Sequence, residues 1–261
     1  MTRKPFLILS AFAALMIVTA LVFAQQAKPQ PNKEIFSPVP TVVTPGRTNA
    51  EPPSDAIVLF NGKNLDQWVE AKDDSPAKWD VHDGIVTVNK AAGSIQTKHT
   101  FRDYQLHIEW KVPTDITGSG QHRGNSGVFL ATYGPQEKGI GYELQVLDSY
   151  NNKTYVNGQA GAIYLQSPPL VNANRKPGEW QTYDVAWTAP TFNSDGSLKT
   201  PAYVTVFFNG ILVQNHFAVH GTTDTPIARY LKYDRSPIKL QAHGDPSQPI
   251  SYRNIWAREL P

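Results

Sequence analysis

From Ser54 onward, apolar and polar residues alternate in short runs separated by Gly, Pro and Asn. Successive side chains of an extended strand point to opposite faces, so each run predicts a half-buried β-strand. The runs fall at Ala56–Phe60, Trp79–His82, Ile85–Val88, Ser94–Lys98, Tyr104–Val112, Asn125–Ala131, Gly141–Ser149, Ala162–Gln166, Trp180–Thr188, Ala202–Phe208, Ile211–Val219, Ile238–His243 and Ile250–Glu259. Asp83-Gly84 and Asn209-Gly210 each join two runs. Both dipeptides suit a type I′ hairpin, which needs positive φ at its two central residues. No long helical period is present. The pattern predicts an all-β domain over residues 54–261, an antiparallel sandwich or jelly roll. A single domain of about 200 residues is ordinary for that class.

Several runs present one polar face. Gln105, His107, Glu109 and Lys111 lie opposite Leu106, Ile108 and Trp110. Glu143 and Gln145 lie opposite Leu144 and Val146, and Leu147 then breaks the alternation. A bulge there would return Asp148 to the polar face, because a bulge adds one residue and re-aims the side chains beyond it. Tyr164 with Gln166, and Gln241 with His243, repeat the arrangement. The simple reading of any one such strand is a solvated outer face. Recurrence on four strands favours a second reading, in which the polar faces of neighbouring strands line one concave groove. Glu109, Glu143, Gln145, Tyr164 and His243 are expected to open onto it together. Carbohydrate is the natural occupant, since hydroxyls demand many donors and acceptors and aromatic rings cover the apolar faces of sugars.

The ends and the composition narrow the class. Arg3 and Lys4 precede a charge-free apolar run from Pro5 to Ala24, and Val22-Phe23-Ala24 reads as a small-x-small cleavage site. This predicts a signal peptide over residues 1–24, with an uncleaved membrane anchor as the alternative. Either way the remainder is expected outside the cytoplasm, secreted or periplasmic. Residues 25–53 carry seven prolines and few large apolar residues, and are expected to be a linker. The chain has 24 Lys+Arg against 22 Asp+Glu, and loss of residues 1–24 leaves 22 against 22. A near-neutral chain gives no sign of a nucleic-acid partner, and a membrane partner is expected only through an uncleaved N-terminus. There is no cysteine, hence no disulfide, thiolate metal site or thiol nucleophile.

Other chemistries leave little trace. His107, His122 and His243 have no metal-ligand spacing, so no cofactor is expected, although a divalent metal on His or carboxylate ligands stays open. Phosphate-binding glycine motifs are absent. Ser126 sits in Asn-Ser-Gly, outside the nucleophile-elbow pattern.

Five stretches, taken in order, resemble the 3-keto-disaccharide hydrolase domain family. They are Leu59-Phe60-Asn61-Gly62-Lys63-Asn64-Leu65-Asp66-Gln67-Trp68, Asn125-Ser126-Gly127-Val128-Phe129, Gly141-Tyr142-Glu143-Leu144-Gln145-Val146-Leu147-Asp148, Gly161-Ala162-Ile163-Tyr164 and Arg253-Asn254-Ile255-Trp256. The resemblance runs from about Ser54 to the C-terminus. It implies a concanavalin A-like jelly-roll sandwich of two antiparallel sheets and action on glycosides oxidised at C3. The spacing Glu143-x-Gln145-x-x-Asp148 is also similar to the E-x-D-x-x-E strand of laminarinase-type glucanases, but departs from it at two positions. Gln145 cannot ionise and Asp148 is one methylene shorter than Glu, whereas a retaining glycosidase needs two carboxyls about 5–5.5 Å apart, so ordinary retaining chemistry is not expected.

A 3-keto sugar offers another route. Its carbonyl acidifies the C2 proton, so a base can start elimination of the C1 substituent, and water then adds to the enone. This needs a base, an electrophile at the ketone oxygen and an acid at the leaving oxygen. Glu143 is the expected base, with Asp148 and Glu109 next in line. Arg123, Asn125 and His243 are candidates for the ketone oxygen, and His243 also for the leaving oxygen. Glu109, Gln145, Tyr164 and Gln241 are expected to bind the sugar. The alternative function is a non-catalytic, lectin-like sugar-binding domain.

Overall fold

The computed structural model describes residues 32–133, 140–223 and 225–261. The expected signal peptide, residues 1–24, lies outside them. Residues 32–42 carry no regular secondary structure, and residues 43–261 form one compact unit.

That unit is built from strands β1 (Ile57–Phe60), β2 (Trp68–Glu70), β3 (Asp80–His82), β4 (Ile85–Thr87), β5 (Ile95–Phe101), β6 (Tyr104–Lys111), β7 (Ser126–Tyr133), β8 (Ile140–Val146), β9 (Gln181–Thr188), β10 (Thr191–Phe192), β11 (Leu198–Thr200), β12 (Tyr203–Phe208), β13 (Ile211–Ala218), β14 (Ser236–Leu240) and β15 (Ser251–Glu259). The larger sheet runs β13-β12-β9-β6-β15-β4-β3, with β1 also paired to β15. The smaller runs β2-β5-β14-β7-β8, and β10 and β11 form a separate ribbon. Every pairing is antiparallel. The architecture is an all-β sandwich of two antiparallel sheets. Both predicted I′ hairpins form, with positive φ at Asp83 and Gly84 and at Asn209 and Gly210.

One core face comes from each sheet. Leu106, Ile108 and Trp110 on β6 join Tyr183, Val185 and Trp187 on β9. Val128 and Leu130 on β7, Leu144 and Val146 on β8, and Ile238 and Leu240 on β14 supply the other side. Tyrosine hydroxyls tie the layers together. Tyr104 donates to the Leu130 carbonyl (2.6 Å) and Tyr183 to the Gln145 carbonyl (2.7 Å). Burying a ring while satisfying its hydroxyl is the favourable use of tyrosine.

Three sequence expectations shift. Ala162–Gln166 is a bridge and turn rather than a strand: Ile163 bridges both Leu144 and Ser167, and Leu165 has positive φ. The irregularity near β8 lies where Phe129 and Thr132 face it, and β8 ends at Val146, so Asp148 is off the strand. The compact unit begins at Val43, ahead of Ser54. Residues 44–53 lack apolar periodicity but offer backbone carbonyls to donors of the folded unit. The Ala50 carbonyl accepts from Asn254 Nδ2 (2.8 Å) and Trp256 Nε1 (3.0 Å), and the Thr44 carbonyl accepts from the Ser54 N–H (2.9 Å).

Candidate active site

Because β7, β8 and β14 turn their apolar residues inward, their alternate residues share the opposite face of the smaller sheet. Register places Glu143 opposite Phe129, Phe129 opposite Lys239, and Lys239 opposite Gln96. A second row runs from Gln145 to Gly127, whose carbonyl accepts the Gln241 N–H (2.9 Å). Glu143 and Lys239 are each 3% exposed, which on an outer sheet face means that loops wall the row in. A Cβ at position 127 would overlap the Glu143 carboxylate, so that carboxylate lies across the glycine. Lys239 Nζ stands 3.7 Å from the centre of the Phe129 ring. The Gln145 amide fits two ways: its nitrogen donates to Gln121 Oε1 (2.9 Å), or, turned over, to the Ser126 carbonyl (3.1 Å) and Glu143 Oε1 (3.3 Å).

Loops complete the walls. The segment after β8 returns along its edge: the Tyr164 N–H donates to the Glu143 carbonyl (3.0 Å) and the Gln145 N–H to the Ala162 carbonyl (2.9 Å). Ile163 faces the core, so Tyr164 shares the face of Glu143. Its hydroxyl meets that of Tyr155 at 2.6 Å, and the two rings tilt 54° to each other. Thr223 Oγ1 accepts from the Glu143 N–H (3.0 Å) on the same edge. Gln166 Nε2 ties the returning segment to the Gly221 carbonyl (2.9 Å). Beyond Tyr164 lies a 280 Å³ hollow lined by Gln166, His220, Thr222 and Thr223.

At the other end, His243 continues the outward alternation of Lys239 and Gln241. Its Nδ1 lies 3.0 Å from Asp245 Oδ2, and the Asp245 side chain is fully buried. Lys90 Nζ bonds the Asp245 carbonyl (2.7 Å), its Oδ2 (3.2 Å) and the Ser247 carbonyl (2.8 Å). Burial pushes the Asp245 carboxyl up, but hydrogen bonds from His243, Ser247 and Lys90 outweigh it and hold the group below the usual carboxylate range. The Asp245 backbone N–H also reaches Nδ1 (3.2 Å), so Asp245 orients the imidazole through Nδ1 and leaves Nε2 facing away from it.

The structure places Glu143, Gln145, Tyr164, Gln241 and His243 on the side of the smaller sheet and places others elsewhere. Glu109 is a correction. It faces outward from the larger sheet, on the far side of the core, because β6 belongs to that sheet and turns Leu106, Ile108 and Trp110 inward. There it accepts from Arg253 Nε (2.6 Å) and Asn254 Nδ2 (2.9 Å). His107, beside it, binds Asp184 Oδ1 through Nδ1 (2.7 Å) and stacks on Trp256. Asp148 is a second correction. It is buried in the loop after β8, where it accepts from Arg123 Nε (2.6 Å) and the Tyr150 N–H (3.0 Å). Arg123 gives its Nε to that pair and stands with it beyond the end of β8. Asn125 Nδ2 is committed to the Gln121 carbonyl (2.8 Å). The sequence reading missed Lys239, Asp245, Lys90, Tyr155 and the role of Gly127. For Lys239 the signal was present, two residues before Gln241 in the same alternation. Among the described residues, no group of three His, Asp or Glu side chains converges as a metal site.

Residues 55–258 match the family of 3-keto-alpha-glucoside-1,2-lyase-like domains. A 3-keto-disaccharide hydrolase of Bacteroides thetaiotaomicron is 30% identical over 152 residues, covering 48% of this chain and 49% of that protein. The aligned stretch thus spans about half the length of that relative. A crystal structure from Parabacteroides distasonis, described as a putative glycosyl hydrolase, is 57% identical with a TM-score of 0.80, covering 87% of this chain and 94% of that one. A second structure of the same description and organism, 20% identical with a TM-score of 0.60, covers 79% of this chain and 94% of its own and shows the shared fold.

Proposed function

The chain belongs to the 3-keto-alpha-glucoside-1,2-lyase-like domain family, and on that premise we propose that it is an exported enzyme that cleaves the glycosidic bond of 3-keto-glycosides. That it is a carbohydrate-active hydrolase follows from its relatives. The observation that carries the finer reading is the buried Glu143 carboxylate, laid across Gly127 in a row of polar side chains, with Tyr164 and its partner Tyr155 at the strand edge.

In this reading the tyrosine pair covers a sugar face. Glu143 removes the C2 proton and the electron pair moves onto the ketone oxygen. The C1–O bond then breaks, and His243 Nε2 delivers a proton to the departing oxygen. The product is an enone with a C1–C2 double bond. Water adds to C1 and a proton returns to C2, giving the free 3-keto sugar. Asp245 keeps the imidazole aimed through these transfers. One carboxylate suffices, consistent with a neutral Gln145 and with Asp148 drawn off the strand to Arg123.

The test is release of aglycone from a 3-keto-glucoside, with exchange of its C2 proton in deuterium oxide, by the purified protein. Both are expected, with no release from the parent glucoside. Binding of either sugar without turnover would replace this reading by that of a lectin-like domain. Export is tested by the N-terminal residue of protein recovered from its host, expected at or near Gln25.

A further inference from the structure

We infer that Lys239 is the catalytic electrophile that holds the ketone oxygen while negative charge develops on it, an inference that rests on the 3-keto reading above. Elimination through C2 places charge on the oxygen of the adjacent carbon, so the base and the electrophile must act on neighbouring substrate atoms. Of the donors suggested by sequence, Arg123 binds Asp148 through Nε (2.6 Å) and Asn125 binds Gln121 (2.8 Å). His243, fixed by Asp245, serves the leaving oxygen.

Lys239 meets the geometric demand. It lies in the same transverse row as Glu143, with Phe129 between them. Adjacent strands are about 4.8 Å apart, so the two backbones stand about 10 Å apart and both long side chains can converge on one sugar ring. The side chain is 3% exposed, and its ammonium rests on an aromatic face, 3.7 Å from the ring centre. A cation held on a ring in a water-poor cleft interacts more strongly with a developing oxyanion than it would in water. The ring also fixes the direction of a flexible stem, so less ordering is left for the transition state. Substrate choice follows from the same contact. A ketone oxygen accepts from the ammonium and takes on charge there, whereas the hydroxyl of an unoxidised glucoside cannot become an enolate.

The experiment compares wild type with Lys239→Met, an unbranched replacement of similar length, and with Lys239→Gln. Both are first checked for native fold by near-UV circular dichroism, and whichever is native is read. Two quantities are measured: the rate of C2 proton exchange, and the ratio of affinities for a 3-keto-glucoside and its parent glucoside. The expected result is a loss of exchange of roughly 100-fold or more, the usual cost of one oxyanion donor, together with collapse of the affinity ratio toward one. A structural lysine would instead lower Tm and leave the ratio intact, which would overturn the inference. Wild-type protein that exchanges C2 and prefers the keto sugar, alongside a variant that does the same within a few-fold, defeats Lys239 alone. Wild-type protein with neither property defeats the 3-keto reading and this inference together.

Discussion

On the outer face of the larger sheet, Asp184, His107, Asn254, Glu109 and Arg253 bond in an open chain, and Asn254 also donates to the Ala50 carbonyl. Arg253 also lies over the Trp180 ring, 4.1 Å from its centre. On the outer face of the smaller sheet, Glu143, Phe129 and Lys239 form a row walled by loops that bring tyrosines, amides and a carboxylate-fixed histidine. The residue types are nearly the same. The first face spends its hydrogen bonds on fastening residues 44–53 to the domain. In the second, backbone and loop contacts do the fastening, and the ionisable side chains lie along a cleft. Polar alternation on a strand therefore says that a face is special without saying which of these two uses it serves.

Three measurements break or sharpen that contrast. The largest effect is expected from exchanging one carboxylate on each face for its amide. Glu143→Gln should lower turnover of a 3-keto-glucoside by roughly 100- to 10,000-fold with little change in Tm. Glu109→Gln should leave kcat near wild type but lose about 2 kcal/mol of stability, the order of a hydrogen bond to a charged partner. Reversed outcomes would show that the faces have been assigned the wrong way round. Next is Gly127→Ala. The added methyl displaces the Glu143 carboxylate, so a drop in kcat of roughly 10- to 100-fold is expected from misplacing the base. A fully active variant would show that the carboxylate need not lie across the glycine.

The smallest effect concerns pH. Burial pushes the Glu109 carboxyl up, but bonds from His107, Asn254 and Arg253 outweigh it and lower its pKa from 4.5 to about 2. Its contribution is therefore fully present above 4.5 and lost as pH falls toward about 2. Burial pushes His107 down, but its bonds to Asp184 and Glu109 outweigh that and raise its pKa above 6.5. Its contribution is present below 6.5 and lost as pH rises through the raised value. The larger sheet's face should thus stabilise the fold most between 4.5 and 6.5. Thermal unfolding across pH should show Tm declining on the alkaline side, and His107→Gln should flatten that limb. An unchanged limb would mean that His107 does not bind its proton more tightly in the fold.

Much of the sandwich was legible because period-two alternation and the two Asp-Gly and Asn-Gly turns are local signals. Strand order was not, because it depends on which runs meet across the core. That is why Glu109 was expected beside Glu143: both sit on polar faces, and phase alone does not say which sheet a strand joins. The length of β8 was misjudged at Leu147, where the chain turns into the core to let Asp148 meet Arg123. Lys239 was hidden by its flanks, since one lysine between Ile238 and Leu240 reads as a solvated outward residue until Phe129 is placed beneath it. Residues 44–53 were read as linker because their contacts are made by backbone carbonyls, which carry no side-chain signature.

β8 is the last strand of its sheet, and a bare edge of that kind recruits strands from other molecules. Here the edge is occupied: Ala162 and Tyr164 bond it on one stretch, and Thr223 on another. The strand that bears Glu143 is thereby closed to intermolecular β-addition, and its carboxylate sits on backbone hydrogen-bonded on both sides. Shortening the segment from Gly161 to Ser167 would expose Val-, Leu- and Tyr-rich backbone as a template for aggregation, so in this fold solubility and the shape of the cleft wall are held by the same few residues.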